Sequence, residues 1–194
     1  MNKIVEYNQI IEGNSLTVLK TLPDESVNCC VTSPPYWSLR DYGVEGQLGL
    51  EKTFEEYITK LCNIFDQVKR VLRKDGTCWV NLGDTYNASG GCGWTGLESK
   101  NWEQKAKPHN IKTYPAKSLC LIPQRFAIEM VNRGWICRNT IIWHKPNCMP
   151  SSAKDRFTVD FEYLYFFVKS KKYWFEQVFE EHTTKDDLDR RTNK

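Results

Sequence analysis

Ser33-Pro34-Pro35-Tyr36 is the stretch whose residue types and order could do chemistry. Proline has no N–H and fixes φ, so a Pro-Pro pair ends a strand or helix. It also makes a turn with carbonyl acceptors and few donors. A ligand that donates hydrogens fits the Ser33 and Pro34 carbonyls, and an exocyclic amino group is such a ligand. Tyr36 adds a flat face suited to stacking on a ring. Two acceptors gripping both N–H bonds favour a more tetrahedral nitrogen, whose lone pair then points at an electrophile. Fixed dipoles of this kind stabilise charge developing on nitrogen, and in-line positioning supplies the rest. The chemistry is alkylation of an amine. A purely structural turn uses the same residues, so context has to decide.

Trp37 and Arg40 follow the turn and could wall a base pocket; Trp37 could equally well pack. Lys145, Asn147 and Ser151, continued by Lys154 and Arg156, form a loop suited to phosphate contacts. Such contacts position a polyanion without reading sequence, and a solvated basic loop is the plain alternative. Asp84 ends a strand-like run, either lining the pocket or closing its own turn. Eight cysteines occur without any C-x-x-C spacing, which argues against a zinc site. No Pro-Cys dipeptide occurs, which disfavours ring-carbon chemistry through a cysteine adduct.

The turn must sit on a frame. Residues 27–32, VNCCVT, form a nearly continuous apolar run, the pattern of a parallel strand buried on both faces. In open α/β sheets ligands bind beyond the carboxyl ends of strands, where the turn lies. Residues 4–13 read as an earlier strand, and 15–22 as a short helix with Ser15 as N-cap. Thr53 and Glu56 have capping-box spacing. Phe54, Tyr57, Ile58, Leu61, Phe65, Val68 and Leu72 then give one apolar stripe, with Gly76 as the stop. A strand over 77–84, a long loop over 85–117, a helix over 122–132 and a strand over 135–145 follow. FEYLYFFV (161–168) reads as a buried strand, joined by a short turn to a last strand over 173–178. A short turn requires an antiparallel hairpin. The alternation predicts an α/β mixed sheet, mainly parallel with a C-terminal antiparallel hairpin.

The 194 residues allow one sizeable core. The chain is 40% apolar and 26% charged, so disordered and fibrous classes are excluded. A net charge of +3 permits a polyanion partner without arguing for one. Neither a secretory leader nor an apolar run long enough to span a bilayer is visible. Cysteines inside strand-like runs fit reduced thiols and a cytoplasmic location.

VTSPPYW resembles the catalytic motif of amino-methylating DNA methyltransferases of the permuted (beta-type) group, N4-cytosine or N6-adenine. GNSLTVLKTLPDESVNCCVTSPPYW, RVLRKDGTCWVNLGDTY, KSLCLIPQRFAIEMVNRGWICRNTIIWHKPNCMPSS and KDRFTVDFEYLYFFVKSKKYWF are similar to successive blocks of that family. The likeness runs from Ile11 to Phe175. It implies a Rossmann-like, S-adenosylmethionine-dependent methyltransferase fold, incomplete in this chain. It implies that Ser33, Pro34 and Pro35 bind the target amine and that Tyr36 stacks on the base. Serine at the first position is similar to the cytosine-type motif, although some adenine enzymes of the group also use it. Where relatives have Gly-Asp, this chain has Gly13-Asn14, so the resemblance gives Asn14 a place beside the cofactor's adenosine. The family's Phe-x-Gly-x-Gly cofactor loop is nowhere in the sequence. In permuted members that loop follows a target-recognition region. Residues 1–181 are thus expected to be the catalytic part, and 182–194 a charged tail opening onto a missing half that carries the loop. The implied partners are DNA, that half, and a companion restriction nuclease. A split enzyme or a non-catalytic nucleic-acid-binding remnant fits the same missing loop.

Overall fold

A computed structural model describes residues 8–87 and 111–179. Seven elements run in the order α1 (Ser15–Thr21), β1 (Val27–Thr32), α2 (Phe54–Val71), β2 (Leu72–Leu82), α3 (Ile122–Asn132), β3 (Ile136–His144) and β4 (Phe161–Val168) among these residues. The strands form one mixed sheet in the order β1-β2-β4-β3. Of its three pairings, β1–β2 is parallel and β2–β4 and β3–β4 are antiparallel, so the balance departs from the mainly parallel expectation.

The helix α2 forms where the apolar stripe places it. Thr53 accepts from the Glu56 N–H at 3.2 Å, acids occupy the first turn, and Lys69 and Arg70 the last. These charges complement the helix dipole. Phe54, Tyr57, Ile58, Leu61, Phe65 and Val68 are all buried. The stop, however, is Leu72 rather than Gly76. Gly76 lies within β2, and a Cβ there would come within 2.8 Å of the Asn28 carbonyl. Glycine is needed for the close approach of β1, not for ending a helix.

The core lies between α2, α3 and one face of the sheet. Cys78, Val80 and Leu82 of β2 and Tyr165 and Phe167 of β4 meet Phe65, Phe126 and Met130 of the helices. Phe126 bridges the layers, with ring centroids 5.2 Å from Phe65 and 6.0 Å from Phe167. On the opposite face Trp79 stacks on Phe166 at 4.2 Å, and Phe175 covers Phe166 at 6.1 Å.

Four expectations are corrected. Residues 173–178 form no strand, because β4 already pairs on both sides, with β2 and with β3. That segment instead folds back, its Trp174 N–H donating to the Asp75 carbonyl at 2.9 Å. Strand β1 is not buried on both faces: Val31 is 76% exposed, and β2 is its one partner among the described residues. Residues 8–13 carry no strand; the rest of that expected strand lies outside the described residues. Finally, α1 is capped by Asn14, not Ser15; its Oδ1 accepts from the Leu16 and Thr17 N–H groups.

Most of the 85–117 loop lies outside the described residues, but its two ends are fastened together. Buried Asn87 donates to the Ile111 and Tyr114 carbonyls and accepts from the Ile111 N–H. Among the described residues, no helix is long and apolar enough to cross a membrane.

Candidate active site

Strand β1 delivers Ser33-Pro34-Pro35-Tyr36 at its carboxyl end, and α2 holds the turn from below. The Tyr57 hydroxyl donates to the Pro35 carbonyl at 2.8 Å. Burial pushes the Tyr57 phenol far above its ordinary range, so it stays a neutral donor. Two glycines make room for the turn. At Gly49, with φ +101°, a Cβ would lie 2.9 Å from the Tyr36 carbonyl oxygen. At Gly83 it would lie 2.7 Å from the Tyr36 ring. The ring therefore rests on bare backbone. Among the described residues no hydrogen bond reaches the Ser33 or Pro34 carbonyl.

A cleft of about 370 Å³ opens beside the ring, lined by Ser33, Pro34, Tyr36, Leu39, Arg40, Tyr42, Asn81 and Glu162. That is within the size range of small-molecule sites. The segment bearing Arg40 and Tyr42 is held by Gln47, whose amide donates to the Arg40 carbonyl and accepts from the Tyr42 N–H. A hollow of about 390 Å³ lies elsewhere, between Asn28, Cys29, Trp79 and Phe175. It is slightly larger, but none of Ser33, Pro34 and Tyr36 lines it, and we place the chemistry in the first cleft.

The Tyr36 hydroxyl sits 2.6 Å from Asn81 Oδ1 and 3.0 Å from Glu162 Oε2. Burial, assisted by the Glu162 charge and opposed by the Ser33 hydrogen bond, pushes its pKa up to about 12. At neutral pH it is a phenol, not a phenolate.

Ser33, Pro34, Tyr36 and Arg40 are thus gathered as expected. Pro35 contributes the turn itself, with its carbonyl committed to Tyr57. Trp37 does not wall the pocket: it is 1% exposed, packs edge-on against Phe54, and donates its indole N–H to the Glu51 carbonyl. Lys145 pairs with Glu162 at the border of the cleft rather than standing ready for phosphate. Asn147 is exposed and the Ser151 hydroxyl accepts from Ala153 within its own loop; neither lines the cleft. Asn14 caps α1, its side-chain oxygen accepting from the Leu16 and Thr17 N–H groups, and it does not line the cleft. Asp84 closes a turn and caps α3, accepting from the Thr85, Leu121 and Ile122 N–H groups. Burial raises its pKa against the pull of those bonds.

Sequence reasoning missed Asn81, Glu162, Leu39 and Tyr42. Glu162 did carry a signal, as the one charged residue of an otherwise apolar and aromatic strand, and Asn81 is the polar residue in the apolar second half of β2 (CWVNL, 78–82).

A family profile described as DNA methylase, N6_N4_Mtase, matches residues 27–194. Type II methyltransferase M.XycI of Xanthomonas campestris pv. cyanopsidis is 45% identical over 175 residues, covering 89% of this chain and 58% of that protein. Type II methyltransferase M.Cfr9I of Citrobacter freundii is 44% identical over 187 residues, covering 94% and 62%. The chain therefore spans less than two thirds of the length of these relatives. Among solved structures, PvuII DNA methyltransferase (cytosine-N4-specific) superposes with a TM-score of 0.57 at 21% identity, covering 83% of this chain and 49% of that one. A putative DNA modification methylase of Thermus thermophilus, TTHA0409, complexed with S-adenosyl-L-methionine, gives 0.56 at 22% identity, covering 85% and 54%. These two likenesses speak for the fold, and the profile and the close relatives speak for descent. This chain, with SPPY at the end of β1 and a cleft beside it, belongs to the DNA methylase family.

Proposed function

We propose that this chain carries the amine-binding part of a site-specific DNA methyltransferase, and that the target is the exocyclic N4 amine of cytosine. The observation that carries the reading is that Ser33, Pro34 and Tyr36 line one cleft, with no hydrogen bond to the Ser33 or Pro34 carbonyl among the described residues. The base is turned out of the duplex, because a paired amine cannot be reached in the stack. Tyr36 takes one face of the base, while the two carbonyls accept its N–H hydrogens. Serine at position 33 supports cytosine over adenine, as does the cytosine-N4 specificity of the PvuII enzyme.

The residues present fit the acceptor side of this reaction. They do not supply the methyl donor's loop: no glycine-rich loop of that kind follows a strand among the described residues. S-adenosylmethionine, when bound, supplies an electrophilic methyl group, and we assign its holding to a polypeptide segment beyond those described. A cytoplasmic setting and a companion nuclease belong to the same proposal.

The test is transfer of labelled methyl to DNA, followed by mass spectrometry of the nucleosides, with the coding sequence downstream of Lys194 included. N4-methylcytosine that is lost in Pro35→Ala and Tyr36→Ala proteins of native fold supports the proposal. N6-methyladenine moves the target base. Undiminished transfer by both variants refutes the site. Calorimetry of this chain with S-adenosylmethionine alone is expected to show no tight binding; micromolar affinity would place the donor site within it.

A further inference from the structure

Three residues from distant parts of the chain meet at the Tyr36 hydroxyl. Ser33 Oγ lies 3.3 Å from both that hydroxyl and Asn81 Oδ1. Asn81 Nδ2 donates to the Tyr163 carbonyl at 3.2 Å, which turns Oδ1 toward Tyr36. Glu162 reaches over from β4, with one oxygen on Tyr36 and the other paired to Lys145. The hydrogens can be counted. Tyr36 has one hydrogen and two facing acceptors, Asn81 Oδ1 at 2.6 Å and Glu162 Oε2 at 3.0 Å. The Ser33 hydrogen can reach Tyr36 or Asn81 but not the gap between Tyr36 and Glu162. The four oxygen–oxygen contacts share two hydrogens, so whichever assignment is made, two of them have none.

Such an arrangement is a poor way to stabilise a fold. A half-satisfied polar cluster costs more than a satisfied or an apolar one. The side chain of Glu162 is only 20% exposed, so water screens little of this cost. Position also counts. The Tyr36 ring rests on Gly83 on one side and lines the cleft. Its hydroxyl is the one polar point by which the ring can be fixed, and Glu162 holds it.

We propose that Glu162, anchored by Lys145, is a positioning residue for the amine-binding turn: with Asn81 it fixes the Tyr36 ring through its hydroxyl, and it leaves the oxygen cluster short of hydrogens, a deficit that an N–H donor in the cleft fills. The proposal rests on the amine-binding reading of the site. It adds a residue 126 positions from Tyr36 in sequence to the machinery that sets the stacking plane.

The test uses this chain labelled at tyrosine ring carbons, with the Tyr36 signals assigned by their loss in Tyr36→Phe. A hydrogen bond to a charged acceptor is strong enough that Glu162→Ala should speed Tyr36 ring flips roughly tenfold and shift its Cζ signal at neutral pH. Glu162→Gln keeps an oxygen and brings the missing hydrogens. It should restore slow flips and unfold near the native temperature, because the ion pair with Lys145 that it gives up is partly exposed and worth little. Unchanged Tyr36 signals in Glu162→Ala would overturn the proposal. So would a Glu162→Gln protein that unfolds well below the native one with Tyr36 signals unmoved, since that marks a purely structural carboxylate. If Glu162→Ala does not fold, Glu162→Gln decides on the same two readings. Methylation is not the readout, so failure here leaves the methyltransferase reading standing, and failure of that reading leaves this geometry testable.

Discussion

The contact between Tyr57 and Pro35 supports a sharp prediction, because a single hydroxyl can be removed without touching the packing. Tyr57 is fully buried within α2, and its O–H donates to the Pro35 carbonyl at 2.8 Å. Tyr57→Phe keeps the ring and deletes that donor. Leaving a buried acceptor unsatisfied costs about 1–3 kcal/mol, and the half-buried setting of Pro35 places this case near 1–2 kcal/mol. For a chain of this size each kcal/mol lowers Tm by roughly 2–4 °C, so the fall should be about 2–8 °C. Calorimetry gives the Tm, and urea unfolding should show a lower midpoint at unchanged slope. The loss should also loosen the turn, read as faster amide exchange at Tyr36 and Trp37. A Tm within about 1 °C of native, with unchanged exchange, would refute the idea that α2 anchors the turn through this bond.

Two further outcomes follow from the geometry. Gly83→Ala places a methyl group 2.7 Å from the Tyr36 ring, which must lift; overpacking of this kind costs about 1–3 kcal/mol, and a shift near 1 Å at a reacting centre can cost about 100-fold in rate. Thermal unfolding and the methyl-transfer assay of the complete enzyme check it, and native values in both would remove Gly83 from the site. Glu129 receives Arg133 at 2.8 Å while the same guanidinium reaches Asp66 and Asn63 of α2. The Arg133 hydrogen bond holds the Glu129 carboxyl below its ordinary 4.5, so the contribution is fully present above that value and lost as pH falls through the lowered one. Glu129→Gln should therefore cost about 0.3–0.5 kcal/mol at pH 7, with the gap to native closing in acid. A gap that stays constant with pH would show that the ion pair is not its source.

The frame was legible wherever a pattern is local. The stripe from Phe54 to Leu72 was sufficient to place α2, and Ile122–Asn132 emerged as a helix with its proline in the first turn. The turn itself was legible because proline chemistry is local too. What escaped depends on which strands become neighbours. Asn81 and Glu162 are brought to Tyr36 because β4 enters the sheet beside β2, with Asn81 opposite Leu164 and Leu82 opposite Tyr163. Nothing in the immediate surroundings of either residue encodes that order. The expected hairpin failed for the same reason: both sides of β4 were already taken. Trp37 shows the limit from the other direction. Its nearness to the motif made it a candidate wall, yet the loop returning through Gly49 and Glu51 closes over it.

The strand that carries Ser33 is laced to the described part of the molecule along one side only. Its height and tilt thus answer to a single row of backbone bonds, and the turn at its tip inherits whatever play that row allows. A second polypeptide segment zipping onto the open side would stiffen the SPPY turn at a distance, without touching a reacting group. The stiffness of the turn would then report on whatever pairs with the open side of β1.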